Sequence, residues 1–231
     1  MNTSSPTVPL PSPFDPGISP SQAAFQQYEI MRTRRTVRSF STRSIHQKTV
    51  EWIVRTAGTA PSGANKQPWT FVAISDPNLK SRIRLATEKE EKLFYQERAT
   101  EEWLQDLSPL GTDFCKAYME QAPWLIVLFR QTRGEDGGAV YYARESVGIA
   151  LGFLLSAAHQ AGLATMVHTP NPMRFLGQLL GRPETEQAVA VIPIGFPHPD
   201  CRVPLAALQK KQMDEILVVN PGSGDSSRPF E

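Results

Sequence analysis

The chain contains 231 residues, with 24 Lys and Arg against 23 Asp and Glu, so its formal net charge at pH 7 is only +1. This balance argues against nucleic-acid binding, which favours a broad basic face, and no apolar run is long and uninterrupted enough to span a membrane. The chain also starts without a basic region followed by an apolar run, so we expect no signal peptide and a cytoplasmic location.

We expect both ends of the chain to be loose arms around one domain. Residues 1–20 are rich in Pro and Ser, which disfavour a helix and bury little surface, so they predict a flexible N-terminal arm. Residues 220–231 begin with Asn-Pro-Gly-Ser-Gly and predict a C-terminal tail. Residues 21–219 show no internal repeat and are predicted to form the folded domain.

A cluster of arginines follows the first predicted helix. Ser19 or Ser21 can cap that helix, which runs to about residue 32. Four arginines then fall within residues 32–38, a local concentration of charge in a nearly neutral chain. The arginine fork of donors matches phosphate oxygens and stays charged, so the cluster is a candidate phosphate site. The arginines alone favour a solvated basic turn slightly over such a site.

A helix, a glycine-containing turn and a strand come next. Residues 49–57 place their apolar side chains on one helical face, and a glycine marks the end of this helix. The turn Pro61-Ser62-Gly63 carries a glycine that lets the backbone approach another group closely. Residues 68–74 predict a strand, after which Asp76-Pro77 starts another helix.

The segment 79–107 is strongly charged, and its apolar positions are sparse. The pattern predicts one or two surface helices that stay outside the core. A polar helical segment with a few aromatic residues is typical of a mobile lid or a partner contact. A plain solvated helix fits the same pattern equally well.

The second half of the chain mixes strands and helices. Residues 140–162 are small or apolar nearly all round the predicted helix, which indicates a central helix or one packed against another subunit. The two cysteines, Cys115 and Cys201, lack metal-like spacing and are expected to be ordinary thiols. The elements together predict an α+β fold with about five strands covered by helices. The other predicted strands are 124–129, 163–169, 189–196 and 216–219, and the other predicted helices are 172–180 and 205–213.

Three motifs together resemble the FMN-dependent nitroreductase superfamily. They are the Arg-Arg-Thr-Val-Arg run at 34–38, the stretch 56–64 around Pro-Ser-Gly, and Gln-Pro-Trp at 67–69. The resemblance extends over about residues 28–219, nearly the whole chain except the arms. It implies FMN as the cofactor and a nitroreductase-like α+β fold. It also implies a central mixed five-stranded sheet flanked by helices, in a domain-swapped homodimer.

The resemblance also implies which residues bind FMN. Thr169, the implied catalytic residue, would place a hydroxyl near flavin N5, where it favours single-electron steps. Without the resemblance, this hydroxyl is better explained as a cap of the following helix. Lys210 stands where the family has an arginine, which keeps the charge but loses the fork. The Pro-Ser-Gly turn is implied to lie along the flavin of the partner subunit's site. The implied contacts are Arg34, Arg35, Thr36, Val37, Arg38, Pro61, Ser62, Gly63, Val167, His168, Thr169 and Lys210.

A narrower resemblance, to the iodotyrosine deiodinases, rests on Glu91, Tyr95, Lys116 and the pair Thr169-Pro170. A free amino acid carries an ammonium and a carboxylate, so its site needs an anion and a cation. Glu91 and Tyr95 are four residues apart on one helix face, and Lys116 follows in the next segment. By resemblance these three bind a halotyrosine and close as a lid, while the backbone N–H of Ala64 holds the phenolate. Taken alone, Glu91 fits a solvated carboxylate and Tyr95 fits helix packing.

The activity implied by the resemblance is FMN-dependent reductive dehalogenation of halogenated tyrosines, with release of halide and tyrosine. No Gly-x-Gly-x-x-Gly fingerprint is present, so the electron donor stays open. A general FMN nitroreductase or enone reductase would not need Glu91, Tyr95 and Lys116 together. Further alternatives are an oxygen-using enzyme that destroys its flavin and a non-catalytic module that binds flavin or halotyrosine. We expect no metal, nucleic-acid or membrane partner.

Overall fold

The computed structural model describes residues 7–134 and 137–221. The outer parts of the two predicted arms, 1–6 and 222–231, lie outside the described residues. Residues 7–18 form neither helix nor strand and are exposed.

Eight α-helices lie in the described chain, and two of them begin directly after the residues predicted to cap them. Ser19 caps α1 in a capping box: its hydroxyl accepts from the backbone N–H of Gln22, and the Gln22 side-chain oxygen accepts from the backbone N–H of Ser19. Asp76 caps α3 by accepting from the N–H of Leu79. The helices are α1 Pro20–Met31, α2 Gln47–Gly58, α3 Pro77–Leu93, α4 Glu101–Leu107, α5 Tyr118–Gln121, α6 Ala143–Gln160, α7 Arg174–Leu179 and α8 Met213–Ile216.

A four-stranded sheet with the order β1-β2-β4-β3 forms the middle of the fold, and its strand pairs are antiparallel. The described chain therefore supplies one strand fewer than predicted. The sheet is also less mixed than predicted, since its one parallel pairing among the described residues is a single bridge between Thr36 and Thr165. The strands are β1 Trp69–Ile74, β2 Trp124–Gln131, β3 Ala164–Thr165 and β4 Glu186–Gly195.

Two of the predicted strands differ from the structure. The strand predicted at 163–169 is reduced to Ala164–Thr165, with one further bridge from His168 to Val191. The strand predicted at 216–219 is not formed, because α8 ends at Ile216 and the next residues are exposed. An apolar run rich in β-branched residues becomes a strand only where it pairs with another strand, and among the described residues this run has no strand partner.

Helices cover both faces of the sheet because side chains of successive strand residues point to opposite sides. In β2, Leu125 and Val127 join a core cluster with residues of α3, α5 and α7. Ile126 and Leu128 join a second cluster with residues of α2 and α6. Within the described chain, none of the helices combines the length and apolar character that crossing a bilayer requires.

The prediction that segment 79–107 stays outside the core is wrong for its first half. α3 buries a narrow stripe of four side chains, of which only Ile83 is apolar. Lys80 in this stripe donates from Nζ to the carbonyls of Glu120 and Ala122, at 3.1 and 2.7 Å. Burial lowers the pKa of this lysine. Because most of the buried stripe is polar, the hydrophobic pattern could not reveal it.

Candidate functional site

A cavity of about 460 Å³ lies between the C-terminal part of α3 and the segment that follows β3. Apolar walls come from Phe94, Trp103, Leu107 and Met166. Its lining includes seven of the site residues predicted from the sequence, which are Arg38, Glu91, Tyr95, Lys116, Val167, His168 and Thr169.

A buried ion pair occupies one side of this cavity. Lys116 Nζ lies 2.9 Å from Glu91 Oε2, and the two side chains are only 6% and 11% exposed. The interpretation of Glu91 as a solvated carboxylate is therefore wrong. Lys116 Nζ also donates to the carbonyl of Asp113, and its backbone N–H donates to Glu88 Oε1 at 2.7 Å. These bonds fix Lys116 against α3, beside Glu91.

Tyr95 lies on a π-helical turn, Phe94–Arg98, that continues α3. Its hydroxyl is 3.0 Å from Thr112 Oγ1, and burial raises the pKa of this phenol. The Tyr95 ring also lies under Lys116, whose Nζ is 5.8 Å from the ring centroid. The structure thus brings Glu91, Tyr95 and Lys116 to one wall of the cavity.

An adjoining wall is the segment Val167-His168-Thr169, held to β4 by two backbone hydrogen bonds between His168 and Val191. His168 is 8% exposed, and its Nε2 lies 3.6 Å from Glu91 Oε1. Burial lowers the pKa of His168 to about 3, helped by the charges of Lys116 and Arg38, so the ring is neutral near pH 7.

Two buried polar atoms at the cavity have no hydrogen-bond partner among the described residues. They are His168 Nε2 and the hydroxyl of Tyr118, whose pKa is raised by burial. Buried polar groups in folded proteins are usually paired, so these atoms indicate space for a polar ligand. No sequence pattern predicted Tyr118 as a site residue. Phe94 and Trp103, by contrast, are among the few aromatic residues of the charged segment 79–107.

Thr169 follows His168 and is exposed at the cavity. The alternative role as a helix cap is wrong, because α7 begins only at Arg174 and no side chain caps it. The Thr169 hydroxyl has no hydrogen-bond partner among the described residues and can serve a ligand.

The arginine run lies beside β3 as an extended segment. The Val37 N–H donates to the Thr165 carbonyl at 3.1 Å, and the Val37 side chain is buried in the core. Arg35 folds back so that its Nη1 donates to the carbonyls of residues 32 and 34. The Arg34 side chain has no partner among the described residues, and Arg38 lines the cavity. Thr36 lies between them and forms the bridge to Thr165.

The turn Pro61-Ser62-Gly63 is packed against the start of α6. A Cβ on Gly63 would lie 2.9 Å from the Tyr141 carbonyl oxygen, so the close approach requires glycine here. Ser62 Oγ accepts from the N–H of Gln67, and Ala64 has a φ of 49°. Among the described residues, no acceptor pairs with the Ala64 N–H.

The structure does not bring every predicted site residue to the cavity. The turn and Ala64 are absent from its lining, as is Lys210, which is exposed on the loop before α8. A second groove of about 1000 Å³ meets the cavity at Asn171 and is lined by four arginines, among them Arg182 in an ion pair with Glu186.

The model of the nitroreductase family matches residues 31–196 of this chain. The iodotyrosine deiodinase of Haliscomenobacter hydrossis is 50% identical over 210 residues, which cover 89% of this chain and 93% of that protein. The human iodotyrosine deiodinase 1 is 41% identical over 196 residues, covering 83% of this chain and 67% of that protein. Among solved structures, oxidised iodotyrosine deiodinase bound to FMN and 3-iodo-L-tyrosine superposes with a TM-score of 0.70 at 30% identity, over 84% of this chain and 98% of that one.

Proposed function

Because this chain belongs to the nitroreductase family and, within it, to the iodotyrosine deiodinases, we propose that it is an FMN-dependent enzyme that removes halide from halogenated tyrosines. The observation that carries the substrate class is the buried Glu91–Lys116 ion pair, at 2.9 Å, in the wall of the cavity. This pair offers one anion and one cation, which complement the ammonium and the carboxylate of a free amino acid.

The chemistry of the side chains fits FMN. Arg34 and Arg38 supply charge without ion-pair partners among the described residues, which suits the phosphate and the electron-rich N1/O2 end of a flavin. The exposed hydroxyl of Thr169 and the unpaired hydroxyl of Tyr118 add neutral donors. The side chain of Val37 is buried, so we assign it the role of holding the arginine run against β3.

The cofactor, when bound and reduced, would supply the two electrons that, with one proton, convert the carbon–halogen bond to a carbon–hydrogen bond and release halide. In our proposal the hydroxyl of Thr169 donates to flavin N5. Glu91 accepts from the substrate ammonium, and Lys116 donates to its carboxylate. Tyr95, Phe94 and the neighbouring lid exclude water from the reacting pair, which strengthens these polar contacts.

We propose that a second copy of the chain completes the site. The turn Pro61-Ser62-Gly63 and the free N–H of Ala64 do not line the cavity of their own chain, so they are available to a partner's site. Lys210 is exposed and equally available. The N–H of Ala64 would then hold the phenolate oxygen of the substrate that lies in the partner's cavity.

Two exposed apolar surfaces support this homodimer. Ile149 and Phe153 are 42% and 39% exposed one helical turn apart on α6. The run from Leu217 to Val219 is also exposed, although it is apolar and contains two β-branched valines. In the dimer we propose that this run pairs with the partner's sheet as its fifth strand, which gives the mixed sheet and the domain swap expected from the sequence.

A general nitroreductase has less support, because its substrates need not be zwitterions and would not require the buried Glu91–Lys116 ion pair. The test is a titration of oxidised FMN fluorescence in the holoprotein with 3-iodotyrosine, tyrosine and a nitrophenol in parallel. We expect 3-iodotyrosine to bind most tightly. Preference for the nitrophenol would favour the general reductase, and equal binding of all three would exclude a dedicated amino-acid site.

A further inference from the structure

The resemblance implies His168 among the FMN contacts, but its imidazole is buried and faces Glu91, and the proposed mechanism assigns the ring no role. Its backbone is fixed to Val191 in both directions, so the ring cannot move far. The ring lies edge-on to Tyr118, with centroids 6.4 Å apart. Its Nε2 is buried without a partner and faces Glu91 Oε1 at 3.6 Å, just beyond hydrogen-bond distance.

The two oxygens of Glu91 therefore face different neighbours. Oε2 is paired with Lys116 at 2.9 Å, whereas Oε1 faces His168. A substrate that carries its own carboxylate draws Lys116 away from Glu91. Glu91 would then be a buried carboxylate held only by the substrate ammonium, unless another donor fixes it.

We propose that His168 is a positioning residue for substrate binding, whose Nε2–H donates to Glu91 Oε1 once Lys116 has turned to the substrate carboxylate. This inference rests on the proposed function and adds a residue to it. A neutral imidazole can donate at Nε2 and leave Nδ1 unprotonated. A shift of a few tenths of an ångström brings the pair within hydrogen-bond distance.

The position of His168 in the chain gives this contact a further role. Thr169, the next residue, is the proposed donor to flavin N5, while Glu91 belongs to the lid helix α3. The hydrogen bond would thus join the wall that contacts the flavin to the wall that contacts the amino acid. Only ligands that carry both a carboxylate and an ammonium would use this link.

The test compares two substitutions. His168→Leu keeps the bulk and removes the donor, whereas His168→Gln retains an amide N–H of similar reach. For His168→Leu we expect binding of 3-iodotyrosine to weaken about tenfold, the value of one hydrogen bond to a charged group, and binding of 2-iodophenol to stay unchanged. His168→Gln should recover most of the loss, and both variants should keep the FMN content of the parent.

A double-mutant cycle with Glu91→Gln separates positioning from packing. If His168 acts through Glu91, His168→Leu adds little to the loss already caused by Glu91→Gln. Additive losses, equal losses for both ligands, no recovery with His168→Gln or loss of FMN would each overturn the inference. Failure of the parent protein to bind 3-iodotyrosine would instead contradict the proposed function, so the two failures are distinguishable.

Discussion

Lys116 Nζ contacts Glu91 Oε2 at 2.9 Å inside a cavity that both side chains line, although neither is more than 11% exposed. The site is thus internally neutralised, and a ligand that contacts either charged group must replace this pair. A zwitterion can do so because it brings one charge of each sign, which avoids leaving a buried charge unpaired. A ligand with no charge, or with only one, cannot compensate both groups.

The first prediction concerns Glu91→Gln. Binding of 3-iodotyrosine should weaken by the value of one charged hydrogen bond, about 1.5 to 3 kcal/mol or more than about tenfold. Binding of 2-iodophenol should hardly change, and FMN and the fold should be retained. The measurement is the dissociation constant of each ligand by flavin fluorescence.

The matched control for Glu91→Gln is Glu97→Gln, since Glu97 lies in the π-helical turn that continues α3 but is exposed. It should leave both dissociation constants unchanged. Equal losses for the two ligands with Glu91→Gln would mean that Glu91 does not bind the ammonium.

The second prediction concerns the arginine run. Arg34→Ala and Arg38→Ala should each lose FMN before they lose the fold, because one ionic contact to the phosphate or to the N1/O2 end of the flavin contributes about 1.5 to 3 kcal/mol. FMN content after dialysis, with circular dichroism for the fold, is the measurement. Arg32→Ala is the control, since Arg32 forms only an exposed pair with Glu29. Full FMN content in both variants would show that the arginine run does not bind FMN.

The third prediction concerns the exposed face of α6. Ile149→Glu places a charge on the surface that we assign to the subunit interface, so the protein should dissociate to single chains of 25.7 kDa and lose FMN. Sedimentation equilibrium measures the mass. Leu85→Glu, at a leucine that is 61% exposed on α3, is the control and should stay dimeric. If the parent protein is monomeric with FMN bound, the proposal that two subunits form each site is wrong.

The fourth prediction is the pH dependence of stability. The pKa of His168 is lowered from 6.5 to about 3 on folding, so between these values the unfolded chain binds more protons. The contribution of His168 to the free energy of unfolding is complete above about pH 6.5. It is lost as the pH falls, at up to about 1.4 kcal/mol per pH unit. The pKa of the His168 ring depends on the charged and polar groups that face it, which are Glu91, Lys116, Arg38 and Tyr118.

The check is urea unfolding between pH 7 and pH 5 at constant, saturating FMN. His168→Gln removes the titrating ring, so its free energy of unfolding should fall less with pH than that of the parent. Identical slopes for the two proteins would mean that His168 is not buried as a neutral ring.

Local signals in the sequence predicted most helices and the middle strands. Ser19 and Asp76 cap the helices they were expected to cap, and β2 follows its apolar run. The burial of α3 was missed because three of its four buried side chains are polar. Lys80 and Glu91 are paired with residues that lie far away in the chain.

The site was found from the sequence only through the resemblance to a family. Spacing places Glu91 and Tyr95 on one helical face, but it cannot show that Glu91 is buried against Lys116 rather than solvated. Nor can it show that the Val37 side chain faces the core or that Arg35 folds back onto backbone carbonyls. These features depend on tertiary contacts, which no local pattern encodes.

The most direct test of the central claim is iodide release. The FMN-loaded protein, reduced with dithionite under anaerobic conditions, is mixed with 3-iodotyrosine, and iodide and tyrosine are quantified. We predict that both products form in equal amounts over repeated turnovers, and that free reduced FMN at the same concentration releases far less iodide. Binding of 3-iodotyrosine without iodide release, or release no faster than with free FMN, would contradict the assignment as a dehalogenase.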